Sequence, residues 1–405
     1  MKHARDNWIK IITKNIIIYA TSLISNLFYK DKRLILFCGS SRSSYNESTR
    51  YLYEHLNDSN FKYNFVWVTD SKKVFKYLSD KKLKVVFHLS FQSLYFYLKA
   101  GMVITNGTIP LGWLGFVGKE TVKITLNHGC GPRSTNGYDP NYYSSSSELI
   151  ADLNKFDYYN FTSKFTSEAI GRNQYNLPEE KIINFGLPRC DKLLNSSFCK
   201  KINLDKQYLT NNYTDTSKDT TCILYAPTWR PSHHPKKNVL PLTLINDFNL
   251  DEFNFWLKEK NIKLFISCHS MSIYGLNINN LSNIEFLNQN DFFNMNDVLP
   301  EFDLLITDYS SIATDFMLML KQVIYILPDY DFFYNEYGLL EDFIKDLPGP
   351  NIKNVDELKR NIINFLNMNN HEQNQILKYL NKYYDVKHVN SKKELSEFIN
   401  SVLSN

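Results

Sequence analysis

The chain has 405 residues, of which 43% are hydrophobic and 22% charged, and its formal net charge is +4. That length exceeds what one core usually supports, so two domains are expected, and the apolar content argues against disorder. So small a net charge points to no nucleic-acid partner, and six scattered cysteines (Cys38, Cys130, Cys190, Cys199, Cys222 and Cys268) without CxxC spacing read as reduced thiols, with neither a disulfide framework nor a metal site.

The first element is the stretch 9–28, where Ile11, Ile12, Ile16 to Ile18, Leu23, Ile24, Leu27 and Phe28 are interrupted by Lys14, Asn15, Ser22, Ser25 and Asn26. It lacks the small-residue cleavage site of a signal peptide and is marginal as a spanning helix. Lys2, Arg5 and Lys10 precede it, and Lys30, Lys32 and Arg33 follow. Two readings fit: an amphipathic helix in the inner-leaflet interface of a membrane, or an ordinary helix packed on the first domain.

Short apolar runs at 34–37, 65–68, 84–87, 102–105 and 122–126 are predicted as buried strands, with helical patterns at 48–56 and 91–100 between some of them. The polar stretch 203–220 reads as a boundary. The alternation then restarts, with strands at 222–225, 264–266, 284–286, 304–307 and 323–326 and helices at 251–260, 312–320, 355–366 and 373–383. The expected fold class is therefore α/β, as two parallel-sheet halves facing a cleft, with ligands at the strand C-terminal ends. The expected division is 1–30 for the amphipathic helix, 31–205 for the first α/β half and 206–405 for the second. No strand is followed by GxGxxG or by GxxxxGK[ST], which removes support for dinucleotide redox chemistry and P-loop hydrolysis.

Three segments at strand ends carry groups suited to phosphate. In Asn127-His128-Gly129-Cys130-Gly131-Pro132-Arg133 an imidazole sits beside backbone that a ligand can approach closely. His128 suits proton removal from a hydroxyl, and a satisfied histidine in a Gly/Pro turn is the plainer alternative. In Pro227-Thr228-Trp229-Arg230 a hydroxyl, a flat aromatic and a guanidinium suit nucleotide contacts, or form a Pro-started turn. Ser310 and Ser311 precede a helix and either cap it or hold phosphate, and Asp315 one turn later either complements the helix dipole or meets a sugar or polyol hydroxyl. His269 follows another strand, in the opposite half from His128. Asp329-Tyr330-Asp331 matches a DxD metal motif by a pattern that chance often supplies, and His233-His234 lies in a polar loop.

Taken in order, His128-Gly129, Gly186-Leu187-Pro188-Arg189-Cys190-Asp191, Tyr225 to Arg230, His269, Thr307 to Ser311 with Asp315, and Leu347-Pro348-Gly349-Pro350 resemble the CDP-glycerol glycerophosphotransferase family of teichoic-acid primases, polymerases and related capsule polymerases. The resemblance implies a GT-B fold of two Rossmann-like halves, with 31–205 the acceptor half and the donor mostly on 206–405. It implies pyrophosphate contacts from His128, Arg189, His269, Ser310 and Ser311, nucleotide contacts from Pro227 and Thr228, and a donor contact from Asp315. Gly129, Cys130, Gly131 and Arg230 are expected to line the same site. The implied reaction moves glycerol phosphate from CDP-glycerol to a lipid-linked or growing polymer and releases CMP, with no cofactor, at the cytoplasmic face of the membrane. CDP-ribitol as donor, and nucleotide-sugar glycosyl transfer on the same fold, are the alternatives. Asn127, Cys130 and Ser267 stand where the family usually has Trp, Thr and Arg.

Overall fold

The computed structural model describes residues 20, 23–59, 61–107, 117–129, 131, 150, 153–198, 207–213, 216–217, 219–228, 230, 239–267, 281–288, 294–340, 343–365, 370–385 and 390–404. Two parallel sheets organise them. The first has the order β3-β2-β1-β4-β5-β6-β7, formed by β1 (Asp31–Phe37), β2 (Asn64–Thr69), β3 (Val85–Phe87), β4 (Ala100–Thr105), β5 (Val122–Thr125), β6 (Tyr158–Phe161) and β7 (Ile182–Asn184). The second has the order β10-β9-β8-β11-β12, formed by β8 (Thr221–Tyr225), β9 (Ile262–Ile266), β10 (Ile284–Phe286), β11 (Leu304–Thr307) and β12 (Val323–Tyr325). All ten strands predicted from the sequence are present, and every pairing in both sheets is parallel.

The apolar runs are continuous because both sheet faces are covered. In β1, Ile35 and Phe37 join Tyr53, Trp67 and Met102 on one face, while Leu34 and Leu36 join Val66 and Val103 on the other. In the second sheet Ile223, Leu264 and Ile306 face one core, and Leu224, Phe265 and Leu305 the other. Side chains of successive strand residues point to opposite faces, so a strand buried on both sides reads as an unbroken apolar run.

Helices α1 (Glu47–Asp58), α2 (Lys72–Asp80) and α3 (Phe91–Lys99) belong to the first sheet, and α4 (Asp191–Phe198) follows β7. In the second half come α5 (Leu250–Glu259), α6 (Ile312–Met317), α7 (Val355–Phe365) and α8 (Asn370–Tyr383). The last helix, α9 (Ser391–Ser404), crosses back. Its Leu395, Ile399 and Leu403 are buried in the first sheet's core, and Asp191 at the start of α4 accepts the backbone N–H groups of Ser391 and Lys392. A division at 205/206 therefore leaves the final helix on the opposite side from the rest of its half.

The stretch expected to be an amphipathic helix lies mostly outside the described residues. Of its end, Leu23 is 51% exposed and Leu27 84%, and the neighbouring Tyr29 is 81% exposed. Lys30 is buried and donates to Ser25 O, Ser25 Oγ and Leu98 O, which ties this segment to α3. Helix α6 ends at Met317, short of the predicted 320, so little helix dipole stands behind Ser311.

Candidate active site

The strand C-terminal ends of the two halves meet through the loop after β5. Asn127 opens this loop with φ +62°, a left-handed conformation that asparagine tolerates better than most residues. Its Oδ1 accepts the backbone N–H of His128 at 2.7 Å. The departure from the family pattern at 127 thus has a local reason. His128 is exposed, and its ring lies on the turn after β4. There Asn106 Nδ2 is 3.1 Å from His128 Nδ1, and Gly107, at φ +75°, leaves the room: a Cβ at that position would stand 2.5 Å from His128 Nε2.

Asn106 is fully buried, and among the described residues its Oδ1 has no hydrogen-bond partner. Amide oxygen and nitrogen exchange places by a half-turn of the side chain, and a histidine's tautomer follows the group that faces it. With Oδ1 toward the ring, Nδ1 carries the proton and Nε2 keeps the basic lone pair. Asn106 and Gly107 were not among the residues singled out from the sequence, because an Asn-Gly pair after a strand reads as an ordinary turn.

The same loop touches both halves. Gly129, at φ +122°, lies against the guanidinium of Arg189, where a Cβ would collide with Nη2. At Gly131 an added Cβ would sit 3.2 Å from Ser311 Cβ. Arg189 itself is 4% exposed. Its Nε donates to Asp315 Oδ2 at 2.9 Å, and Nη1 pairs with Glu47. Asn296 Nδ2 donates to Asp315 Oδ2 at 3.0 Å, and Cys190 Sγ donates to Asp315 Oδ1 at 3.3 Å. Burial works against the Arg189 charge, but Asp315 and Glu47 outweigh it and hold its pKa above the usual range. Burial, reinforced by Asp315, pushes the Cys190 thiol up and keeps it a protonated donor.

Arg189 and Asp315, both expected at the donor, pair with each other across the two halves. A second bridge runs parallel, with Arg50 Nη1 2.6 Å from Asp297 Oδ2 and Tyr51 OH donating to Asp297 Oδ1 at 2.6 Å. Glu47, Arg50 and Tyr51 all lie in α1, a contribution the sequence did not signal. Glu47 has φ +61°, a strained conformation for a residue with a Cβ.

Arg230 is likewise engaged by carboxylates. Its Nη1 is 2.5 Å from Asp308 Oδ2 and its Nε 2.8 Å from Asp329 Oδ2, and its guanidinium lies 4.8 Å above the Phe333 ring. Asp329, half of the DxD match, is thus engaged by a guanidinium. Asp308 Oδ1 accepts the Thr228 N–H at 2.7 Å, which fixes the 227–228 turn. Thr228 Oγ1 is buried without a partner among the described residues, an orphan hydroxyl that a ligand would satisfy. Ser310 and Ser311 are half-buried, and Ser311 makes no side-chain cap to α6. Pro227 is half-buried beside Thr228. Cys130, His233, His234 and His269 lie outside the described residues.

A family model described as CDP-glycerol:poly(glycerophosphate) glycerophosphotransferase matches residues 18–401. The chain belongs to this family. Among curated relatives, the teichoic acid poly(glycerol phosphate) polymerase of Bacillus spizizenii is 25% identical over 350 residues, covering 83% of this chain and 84% of its own length. The polymerase of the same description from Bacillus subtilis is also 25% identical, covering 86% of this chain but 47% of its own length. The ribitol-phosphate polymerase TarK of Staphylococcus aureus is 24% identical, covering 88% of this chain and 66% of its own length. A solved structure of the wall teichoic acid polymerase TagF superposes with a TM-score of 0.74 at 19% identity, covering 100% of this chain and 99% of that one. The fold is thus the GT-B type, and this glycerophosphotransferase relative is an enzyme of the transferase class.

Proposed function

We propose that the chain transfers glycerol phosphate from CDP-glycerol to the terminal hydroxyl of a poly(glycerol phosphate) acceptor and releases CMP. The observation that carries this reading is the loop at 127–131: it holds an exposed His128 backed by a buried amide, and three residues on, its Gly131 lies against Ser311 of the other half. The donor's cytidine would lie on the second half, where the orphan hydroxyl of Thr228 and the turn at Pro227 supply contacts. Its pyrophosphate would meet Ser310, Ser311 and the backbone of Gly129 to Gly131, with Cys130 and His269 completing the site.

In that arrangement the acceptor oxygen attacks the β-phosphorus in line. A new P–O ester bond forms, the P–O–P bond breaks, and CMP leaves with the electron pair while His128 takes the hydroxyl proton. Such transfer rests on positioning and charge stabilisation more than on covalent chemistry by the protein. A further TagF structure, of a variant soaked with CDPG, has the same fold at a TM-score of 0.76 and is consistent with this donor class. Arg189, Asp315 and Arg230 take positioning roles: Arg189 and Asp315 hold the halves together, and Arg230 fixes the 227–228 turn.

The membrane surface is the proposed workplace. Among the described residues no helix is long and apolar enough to cross a membrane. Exposed Leu23, Ile24, Leu27 and Tyr29, close in sequence to Lys32 and Arg33, suit docking on an anionic leaflet. Either a teichoic acid or a capsule polymer would serve as product. His128→Ala is expected to lower CMP release from CDP-glycerol by about a hundredfold or more with the far-UV spectrum unchanged. Near-normal turnover by that variant would sink the assignment.

A further inference from the structure

The loop after β1, Gly39-Ser40-Ser41-Arg42-Ser43-Ser44, is not used by the donor chemistry. It stands at the same strand-end edge as His128, but on the other side of the sheet's centre. Its shape is fixed by its own polar groups: Ser41 N donates to Ser44 Oγ at 2.8 Å, and Ser40 N donates to Asn46 Oδ1 at 3.1 Å. The Arg42 carbonyl accepts from Asp70 N at 3.0 Å and from Thr69 Oγ1 at 2.8 Å, which ties the loop to the end of β2.

The Arg42 guanidinium is held from two sides. Its Nε is 3.0 Å from Asp70 Oδ2, and its Nη1 donates to His88 Nε2 at 3.0 Å. Because Nε2 accepts, His88 carries its proton on Nδ1, which donates to Tyr97 OH at 2.7 Å. Burial and the Arg42 charge push His88 down to about 4, so it stays neutral at physiological pH. The Arg42 side chain nevertheless keeps 39% of its surface exposed. A pair this exposed stabilises a fold little, so stability does not account for a neutral histidine committed to orienting a guanidinium. Asp70 and His88 thus fix the guanidinium while part of it stays open to solvent, on a loop that also carries the Ser41 and Ser43 hydroxyls, 3.2 Å apart.

We propose that Arg42 and this serine loop form an acceptor subsite that holds an internal phosphodiester of the poly(glycerol phosphate) chain. The inference rests on the function proposed above and adds the place where the acceptor is gripped. Arg42 follows β1, whereas the proposed donor contacts are on the second half and on the loop after β5, so the site is separate from the cytidine and pyrophosphate contacts. Strand order sets the distance: β1 and β5 are two positions apart and β3 and β5 four, which is roughly 10 to 20 Å between Arg42 and His128. One glycerol phosphate unit does not cover that span, whereas a chain of several repeats does. With Nε on Asp70 and one Nη1 hydrogen on His88, the remaining Nη hydrogens of the guanidinium suit a phosphate oxygen, and serine hydroxyls match the polyol.

The test compares a single-unit acceptor with an oligomer of several repeats, using CDP-glycerol and the full chain. Arg42→Ala is expected to raise KM for the oligomer by about tenfold, the loss of one charge-assisted contact, and so to close the gap between the two acceptors. Arg42→Lys is expected to recover part of the gap, which a purely structural role would not produce. Equal effects on both acceptors, or none on either, would overturn the subsite. Titration calorimetry of the oligomer without donor separates this from the function itself. If the wild type releases no CMP, the transferase reading fails, and the subsite still stands or falls on whether Arg42→Ala weakens oligomer binding about tenfold or leaves it equal.

Discussion

At the residue scale the account turns on which nitrogen of His128 is basic. An asparagine amide serves either tautomer by turning over, whereas a carboxylate can only accept from Nδ1–H. Asn106→Asp is therefore expected to raise the acid limb of the kcat/KM profile by about one pH unit, since a nearby carboxylate favours the imidazolium. An unmoved acid limb would detach Asn106 from the base. Arg189 makes the second case. Removing it leaves the buried Asp315 and the half-buried Glu47 without their cation, so Arg189→Ala should cost about 3–5 kcal/mol in urea unfolding. A loss below about 1 kcal/mol would mean the pairing matters little. The strand-end placement of His128, Ser310 and Ser311 was legible in the sequence, because each follows a short apolar run. The partners of Arg189 and Arg230 were not, because burial against carboxylates distant in sequence leaves no local pattern. An arginine in a motif looks the same whether it awaits a phosphate or already holds two carboxylates.

At the element scale, runs of Val, Ile, Leu and Phe announced the ten doubly covered strands. Strands β6 and β7 escaped, and β6 shows why. Its sequence Tyr-Tyr-Asn-Phe buries Asn160, whose amide donates to Gly186 O at 2.6 Å and accepts from Phe185 N at 3.0 Å. A buried polar residue with both hydrogen-bonding roles filled belongs to the core, but nothing in its local sequence says so. Helix α9 escaped although Leu395, Ile399 and Leu403 repeat every four residues. What the pattern did not show is the core it joins. Ending the chain before Ser391 is expected to uncover those three side chains' sites and destabilise the first half by on the order of 5 kcal/mol. Unfolding would then separate into two transitions, the earlier one reporting β1 to β7, and an unchanged single transition would contradict the packing.

At the scale of the whole molecule, two parallel sheets are joined by a loop of glycines, two ion-pair bridges and a helix that crosses back. Gly131 brings the loop that carries His128 against Ser311 of the other half, and the Arg189–Asp315 and Arg50–Asp297 bridges join the same two halves. Both halves and their alternation could be foreseen from hydrophobic patterning, since each sheet is built from local runs. How they lock together could not, because the locking groups come from α1, the Arg189 turn, the residues after β10 and α6, far apart in sequence. The central claim is that this joint serves transfer of a polyol phosphate. Its most direct test follows CMP release and acceptor growth when the full chain is given CDP-glycerol, or CDP-ribitol, with a poly(glycerol phosphate) oligomer. The expected result is one CMP released for each phosphorus added to the oligomer, with CDP-glycerol the better donor; a preference for CDP-ribitol would change the polyol, and release of no CMP from either donor would contradict the account.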